Sequence, residues 1–120
     1  MTSDGGPEEC AVVLDAQGVS SDDVRAAMRS VRNVRRELPS ARLELVVHGP
    51  AVSALVSDLR LVADVADDIA EQEVAVLLCR NSLAGLELAP DDVPGGIGVV
   101  PAALAHCARR QWEGWAYVRL

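Results

Sequence analysis

Residues 74–86 read VAVLLCRNSLAGL. Val74 to Leu78 is a short, nearly unbroken apolar run, and it ends abruptly in Cys79, Arg80, Asn81 and Ser82. A run of this length, closed by polar residues, has the pattern of a strand buried on both faces, as in a parallel sheet. Immediately upstream, Leu61, Val65 and Ile69 recur at i, i+4 and i+8, which predicts a helix over residues 61–71. Further back, LELVVH at 43–48 is a second strand, stopped by Gly49-Pro50, and Val52, Leu55, Val56 and Leu59 suggest a short helix between the two.

Before that strand, Val24, Ala27, Met28, Val31, Val34 and Leu38 recur at helical spacing, with Arg25, Arg29, Arg32 and Arg36 opposite. Ser20 and Ser21 supply an N-cap, Asp22 and Asp23 suit the first turn, and Pro39 stops the helix. The arginine row reads most simply as a solvated face. CAVVL at 10–14 opens the chain as a first strand. Downstream, the turn-rich APDDVPGG leads to a fourth strand at 97–100. A helix beginning near Pro101 places Leu104, Ala105, Ala108 and Trp112 on one face, and residues 115–119 form a fifth strand. Strands alternating with helices mean parallel βαβ units. The expected fold is therefore a three-layer α/β/α domain with a five-stranded, mainly parallel sheet. It spans residues 9–120 as a single domain, after a flexible segment over residues 1–8.

Composition narrows the chemistry. The 120 residues carry a formal net charge of −7, which argues against nucleic acid or an anionic membrane as partner. No apolar run approaches the ~18–20 residues of a membrane span, and MTSDGGPEEC has no signal-peptide character, so a cytoplasmic setting is expected. All 11 basic residues are arginine, which excludes Schiff-base chemistry on lysine and a P-loop lysine. Three widely spaced cysteines, 10, 79 and 107, with no CxxC pair, favour neither a disulfide framework nor a metal site. No cofactor is called for. His106-Cys107 is not a chelating pair, because adjacent helical residues diverge by about 100°. The GGIG at 95–98 precedes a strand and is read as a turn.

Ligands of open α/β sheets bind beyond the carboxyl ends of the strands. The residues leaving the first three strands are Asp15, then His48-Gly49-Pro50, then Cys79-Arg80-Asn81-Ser82. If those strands are neighbours, a carboxylate, an imidazole and a thiol share one edge. Asn81 or Ser82 can cap a short helix over residues 83–88. A thiol beside a helix N-terminus and an arginine has its thiolate favoured. Against this, free cysteine is among the most buried residue types and usually packs as a small hydrophobe. His48 is a candidate base or anion donor, or simply a hydrogen-bonded strand-end residue, and Asp15 a pocket residue or a cap on the Gln17-Gly18 turn.

With these segments in place, the chain resembles the DsrE-like (DsrE/DsrF-like) family of small sulfur-relay proteins. The resemblance rests on VRNVRREL at 31–38, LELVVHGPAV at 43–52, VLLCRNSL at 76–83 and VVPAALAHCARRQWEGWAYVRL at 99–120. The HGP turn, the Cys-x-Asn-Ser-Leu segment and the Glu-Gly-aromatic-Ala-Tyr ending are its most specific parts. It implies homo-oligomers, trimers or hexamers, and a cysteine at the position of Cys79 that carries sulfane sulfur as a persulfide between donor and acceptor proteins, a possible sulfurtransferase activity. Two departures stand out: Val13, where many relatives have histidine, and Val-Pro-Ala-Ala, where relatives often have Val-Pro-Ser-Gly. The expected site is Cys79 as the reacting group, with Asp15, His48, Gly49, Arg80, Asn81 and Ser82 as pocket residues. The alternatives are a non-catalytic module binding a small anion or nucleotide-like ligand, and a hydrolase pairing Cys79 with His48.

Overall fold

The computed structural model describes residues 10–120; the N-terminal segment 1–8 of the sequence reading lies outside the described residues. Five strands, β1 (Ala11–Gln17), β2 (Arg42–His48), β3 (Val74–Cys79), β4 (Gly98–Val100) and β5 (Ala116–Arg119), form one sheet in the order β4-β3-β2-β1-β5. Every pairing is parallel. The helices are α1 (Ser21–Glu37), α2 (Ala54–Ser57), α3 (Leu59–Gln72), α4 (Arg80–Gly85) and α5 (Ala103–Trp112).

The strand order explains the layers. From β1 to β4 the chain steps across the sheet in one direction, and right-handed crossovers put the connecting helices on one face. The return from β4 to β5 runs the other way, so the same handedness puts α5 on the opposite face. Side chains alternate along each strand. Val12, Leu14 and Ala16 of β1, Leu43, Leu45 and Val47 of β2, and Val74, Val76 and Leu78 of β3 pack in the larger core with Val24, Met28 and Val31 of α1 and Leu61 and Val65 of α3. Val13, Val46 and Cys79 face the other way, against Ala103 and Cys107 of α5 and the buried Trp115.

The arginine row is not simply solvated. α1 and α3 pack side by side, and Arg25 pairs with Asp64 at 2.8 Å and Arg32 with Asp68 at 2.6 Å. Two of the four arginines thus meet acidic positions of α3, while Arg29 and Arg36 stay exposed. On α5 the expected apolar face also turns out to be the outer one. Ala103 and Cys107 point inward, while Leu104 and Trp112 are 67% and 82% exposed. A ten-residue helix over a sheet already capped by Trp115 needs only its small residues inside, where Ala103 and Cys107 allow close approach.

A buried ionic cluster fastens α5 to the sheet. Glu44 of β2 accepts from Arg110 Nε at 3.1 Å and Nη2 at 2.6 Å, and its Oε1 lies 2.7 Å from His106 Nε2. Arg110 also stacks on Trp115, 4.4 Å from the ring centre, with Arg42 at 4.9 Å. Burial opposes the Glu44 charge, but the bonds to Arg110 and His106 overcome it and hold the carboxyl below its ordinary range. His106 and Cys107 therefore diverge as expected, one to this cluster and one to the core.

Candidate functional site

The register brings the sequence candidates to one level of one face. Gln17 pairs with His48, and Cys79 with Val100. One step beyond the last β2–β3 pair, Val47 with Leu78, His48 stands beside Cys79. With strands ~4.8 Å apart and side chains alternating, Gln17, His48 and Cys79 line up across the α5 face at the carboxyl edge. Asp15 lies one pleat below Gln17 on the same face. It does not leave its strand, because β1 continues to Gln17, so Asp15 caps no turn.

Cys79 ends β3 and begins α4. Its backbone is extended (φ −77°, ψ 118°), and it is itself the N-cap of a helix starting at Arg80, rather than at residue 83 with Asn81 or Ser82 as cap. The sulfur therefore sits at the start of α4, although its side chain makes no cap hydrogen bond there. A second helix start meets it from across the sheet face: the backbone N of Ala103, first residue of α5, lies 3.4 Å from Cys79 Sγ. The thiol is only 6% exposed, and burial alone pushes it towards the neutral form. The N–H groups of Ser82, Ala103 and Asn81, with the Ser82 hydroxyl, outweigh that and hold the Cys79 thiol below its ordinary value. Arg80 is exposed and is not among the leading causes.

Ser82 is itself held in place. Its Oγ accepts from Gly49 N at 2.9 Å, so the hydroxyl proton is directed elsewhere than Gly49, and the hydroxyl favours the charged form of the neighbouring Cys79. Gly49 reaches this position with φ +85°, and a Cβ there would sit 2.9 Å from the Gly18 carbonyl oxygen. Only glycine fits without strain.

Next to Cys79 is a second cluster. Asp15, 4% exposed, accepts from His48 Nε2 at 2.7 Å on one carboxylate oxygen and from Tyr117 OH at 2.5 Å on the other. The bond to Asp15, with burial adding to it, pushes the Tyr117 phenol up to about 12. These three residues, with Gln17, Leu104 and Arg119, line a pocket of ≈ 310 Å³ at the sheet edge between β1, β2, β5 and the first turn of α5. Tyr117 and Arg119 were absent from the sequence candidates. The signal was available in period-two alternation along β5, but only the β1–β5 pairing, Val13 with Tyr117 and Asp15 with Arg119, gives it meaning.

The other buried thiol contrasts with Cys79. Cys107 has no such donors; burial, with Asp15 and Glu44 nearby, pushes it up to about 11. Among the described residues no group of three or more His, Cys, Asp or Glu side chains is arranged to hold a metal ion. No helix among them is long and apolar enough to cross a membrane.

The protein MTH1491 of Methanobacterium thermoautotrophicum, of unknown function, superposes with a TM-score of 0.77 at 30% identity, covering 92% of this chain and 99% of its own. This chain belongs to the family of MTH1491. The ychN protein of E. coli matches with a TM-score of 0.65 at 20% identity, again over 92% of this chain and 99% of its own. BT1422 of Bacteroides thetaiotaomicron, a conserved protein of unknown function, matches with a TM-score of 0.70 at 10% identity over 98% of this chain and all of its own. At those lower identities the likeness is one of fold, and the fold shared with MTH1491 is DsrE-like. No protein-family model matches the chain, and no curated protein matches it.

Proposed function

We propose that this protein is a sulfur carrier in which Cys79 takes up sulfane sulfur as a persulfide and passes it to a partner thiol. The observation that carries the reading is a buried sulfur at the start of α4 that accepts from the first backbone N of α5 at 3.4 Å, its thiol held below the ordinary value. The thiolate is the nucleophile in sulfur exchange, and the persulfide it forms is again an anion that the same N–H groups suit. The DsrE-like fold and the match of VLLCRNSL to the sulfur-relay pattern support it further. In the reaction, Cys79 Sγ attacks the outer sulfur of a donor persulfide. A new S–S bond forms, the donor's S–S bond breaks, and its electron pair leaves on the donor thiolate. Discharge to the acceptor thiol repeats the exchange, so no external oxidant or cofactor enters.

The hydrolase reading fares worse, since among the described residues His48 is bonded to Asp15 and not to Cys79, whose sulfur accepts from Ala103 N. The carrier would act in the cytoplasm as a homo-oligomer, a trimer or hexamer. The outer face of α5, where Leu104, Ala108 and Trp112 follow at i, i+4 and i+8, is the surface that assembly would cover. The function is tested by cyanolysis after polysulfide treatment and desalting: about one sulfur per chain released as thiocyanate from wild type, and none from Cys79→Ser, supports it. Equal release from both rejects it.

A further inference from the structure

The pocket lined by His48, the β2 neighbour of Cys79, has its own chemistry. Its wall and Cys79 share a turn: Leu104 lines the pocket, and the preceding Ala103 N contacts Cys79 Sγ. Its floor is a built polar surface. Asp15 is more than nine-tenths buried and spends both oxygens on His48 and Tyr117, so its charge sits behind two donors instead of facing the space. Arg119, at the rim, has no ion-pair partner among the described residues, and no acid but Asp15 lines the pocket. The charge the cavity offers an occupant is therefore a guanidinium, the side chain best suited to bind a carboxylate in a two-pronged contact. A volume of ≈ 310 Å³ is at the small end for ligand sites and suits a small molecule.

We infer that this pocket binds a low-molecular-weight, carboxylate-bearing persulfide, Arg119 taking the carboxylate while the sulfane sulfur is presented towards Cys79. This rests on the sulfur-carrier reading and adds the substrate class. The occupant is the donor in the exchange already written: its outer sulfur moves to Cys79 Sγ, its S–S bond breaks, and it departs as a thiolate that takes a proton from water. The electron count closes within the two S–S bonds.

The test compares two donors on the full-length protein: glutathione persulfide, which carries carboxylates, and inorganic polysulfide, which has none. Formation of the Cys79 persulfide is followed against donor concentration for wild type, Arg119→Gln and Arg119→Lys. We expect saturation with glutathione persulfide in wild type, a half-saturating concentration raised about tenfold in Arg119→Gln, and partial recovery in Arg119→Lys. Polysulfide loading should be the same in all three. Loading of wild type by polysulfide, with no saturation by glutathione persulfide or no effect of Arg119→Gln, overturns the pocket assignment and leaves the carrier reading standing. No loading of Cys79 by either donor overturns both.

Discussion

The backbone N of Ala103 lies 3.4 Å from Cys79 Sγ. These residues come from different helix starts, 24 positions apart, and the strand order alone brings them together. Because α5 returns across the face that α1 and α3 leave open, its first turn lands on the carboxyl end of β3. A buried sulfur is thereby given donors for its charged form without any basic side chain. That arrangement separates Cys79 from Cys107, which shares its core but is pushed up to about 11.

Selective alkylation follows. In the folded protein at pH 7–8, iodoacetamide should modify Cys79 and spare Cys107, and the rate at Cys79 should level off at a pH below the ~8.5 of an ordinary cysteine. Ser82→Ala removes the hydroxyl and orphans the Gly49 N–H. It should slow the Cys79 reaction at pH 7 by about threefold, a modest factor because nucleophilicity rises as the thiolate becomes more basic. Peptide mapping by mass spectrometry reads both. Equal labelling of the two buried thiols contradicts the electrostatic account.

Tyr117 is the only tyrosine in the chain, so its ionisation can be followed alone by ultraviolet absorbance. Its folded pKa of about 12 lies above the usual ~10 of the unfolded chain. The stability it contributes is therefore complete below about pH 10 and disappears as the pH rises through the folded value. Asp15→Asn should bring the midpoint down towards 10. A wild-type midpoint near 10 would mean that the Tyr117–Asp15 bond does not hold in solution.

Glu44 titrates in the opposite direction. Its folded pKa is depressed, so its contribution is present above the unfolded value of ~4.3 and lost as the pH falls through the folded one. Glu44→Gln leaves Arg110 and His106 without their carboxylate, and breaking one side of a buried pair costs about 3 kcal/mol. Urea unfolding at pH 7 should show that deficit, and the gap to wild type should close as the pH drops below 4.

Gly49→Ala forces a Cβ to 2.9 Å from the Gly18 carbonyl at a φ of +85°. The expected loss is about 2 kcal/mol in urea unfolding. Slower alkylation of Cys79 should accompany it, because Gly49 holds Ser82. Unchanged stability contradicts the geometry of this turn.

Much of this was legible in the sequence because it is local. VAVLLC is a strand by its run of apolar residues, α1 and α3 declare themselves by period, and Gly49-Pro50 marks the end of β2. What was not legible is what the topology creates. In sequence Asp15 reads as a pocket residue or a turn cap just past the run CAVVL, while pairing with β2 and β5 extends the strand to Gln17 and keeps Asp15 inside it. Tyr117 and Arg119 gained a role only by lying beside β1. The stripe of Leu104 and Trp112 has core-like spacing, and only the position of α5 shows it to be the outer face.

The most direct test of the central claim is intact-mass analysis of reduced protein after brief exposure to polysulfide, with Cys79→Ala in parallel. The account predicts a gain of about one sulfur atom per chain, mapped to Cys79, reversed by dithiothreitol and missing from the variant. Equal gains in both proteins, or a gain mapped to Cys10 or Cys107, would contradict it.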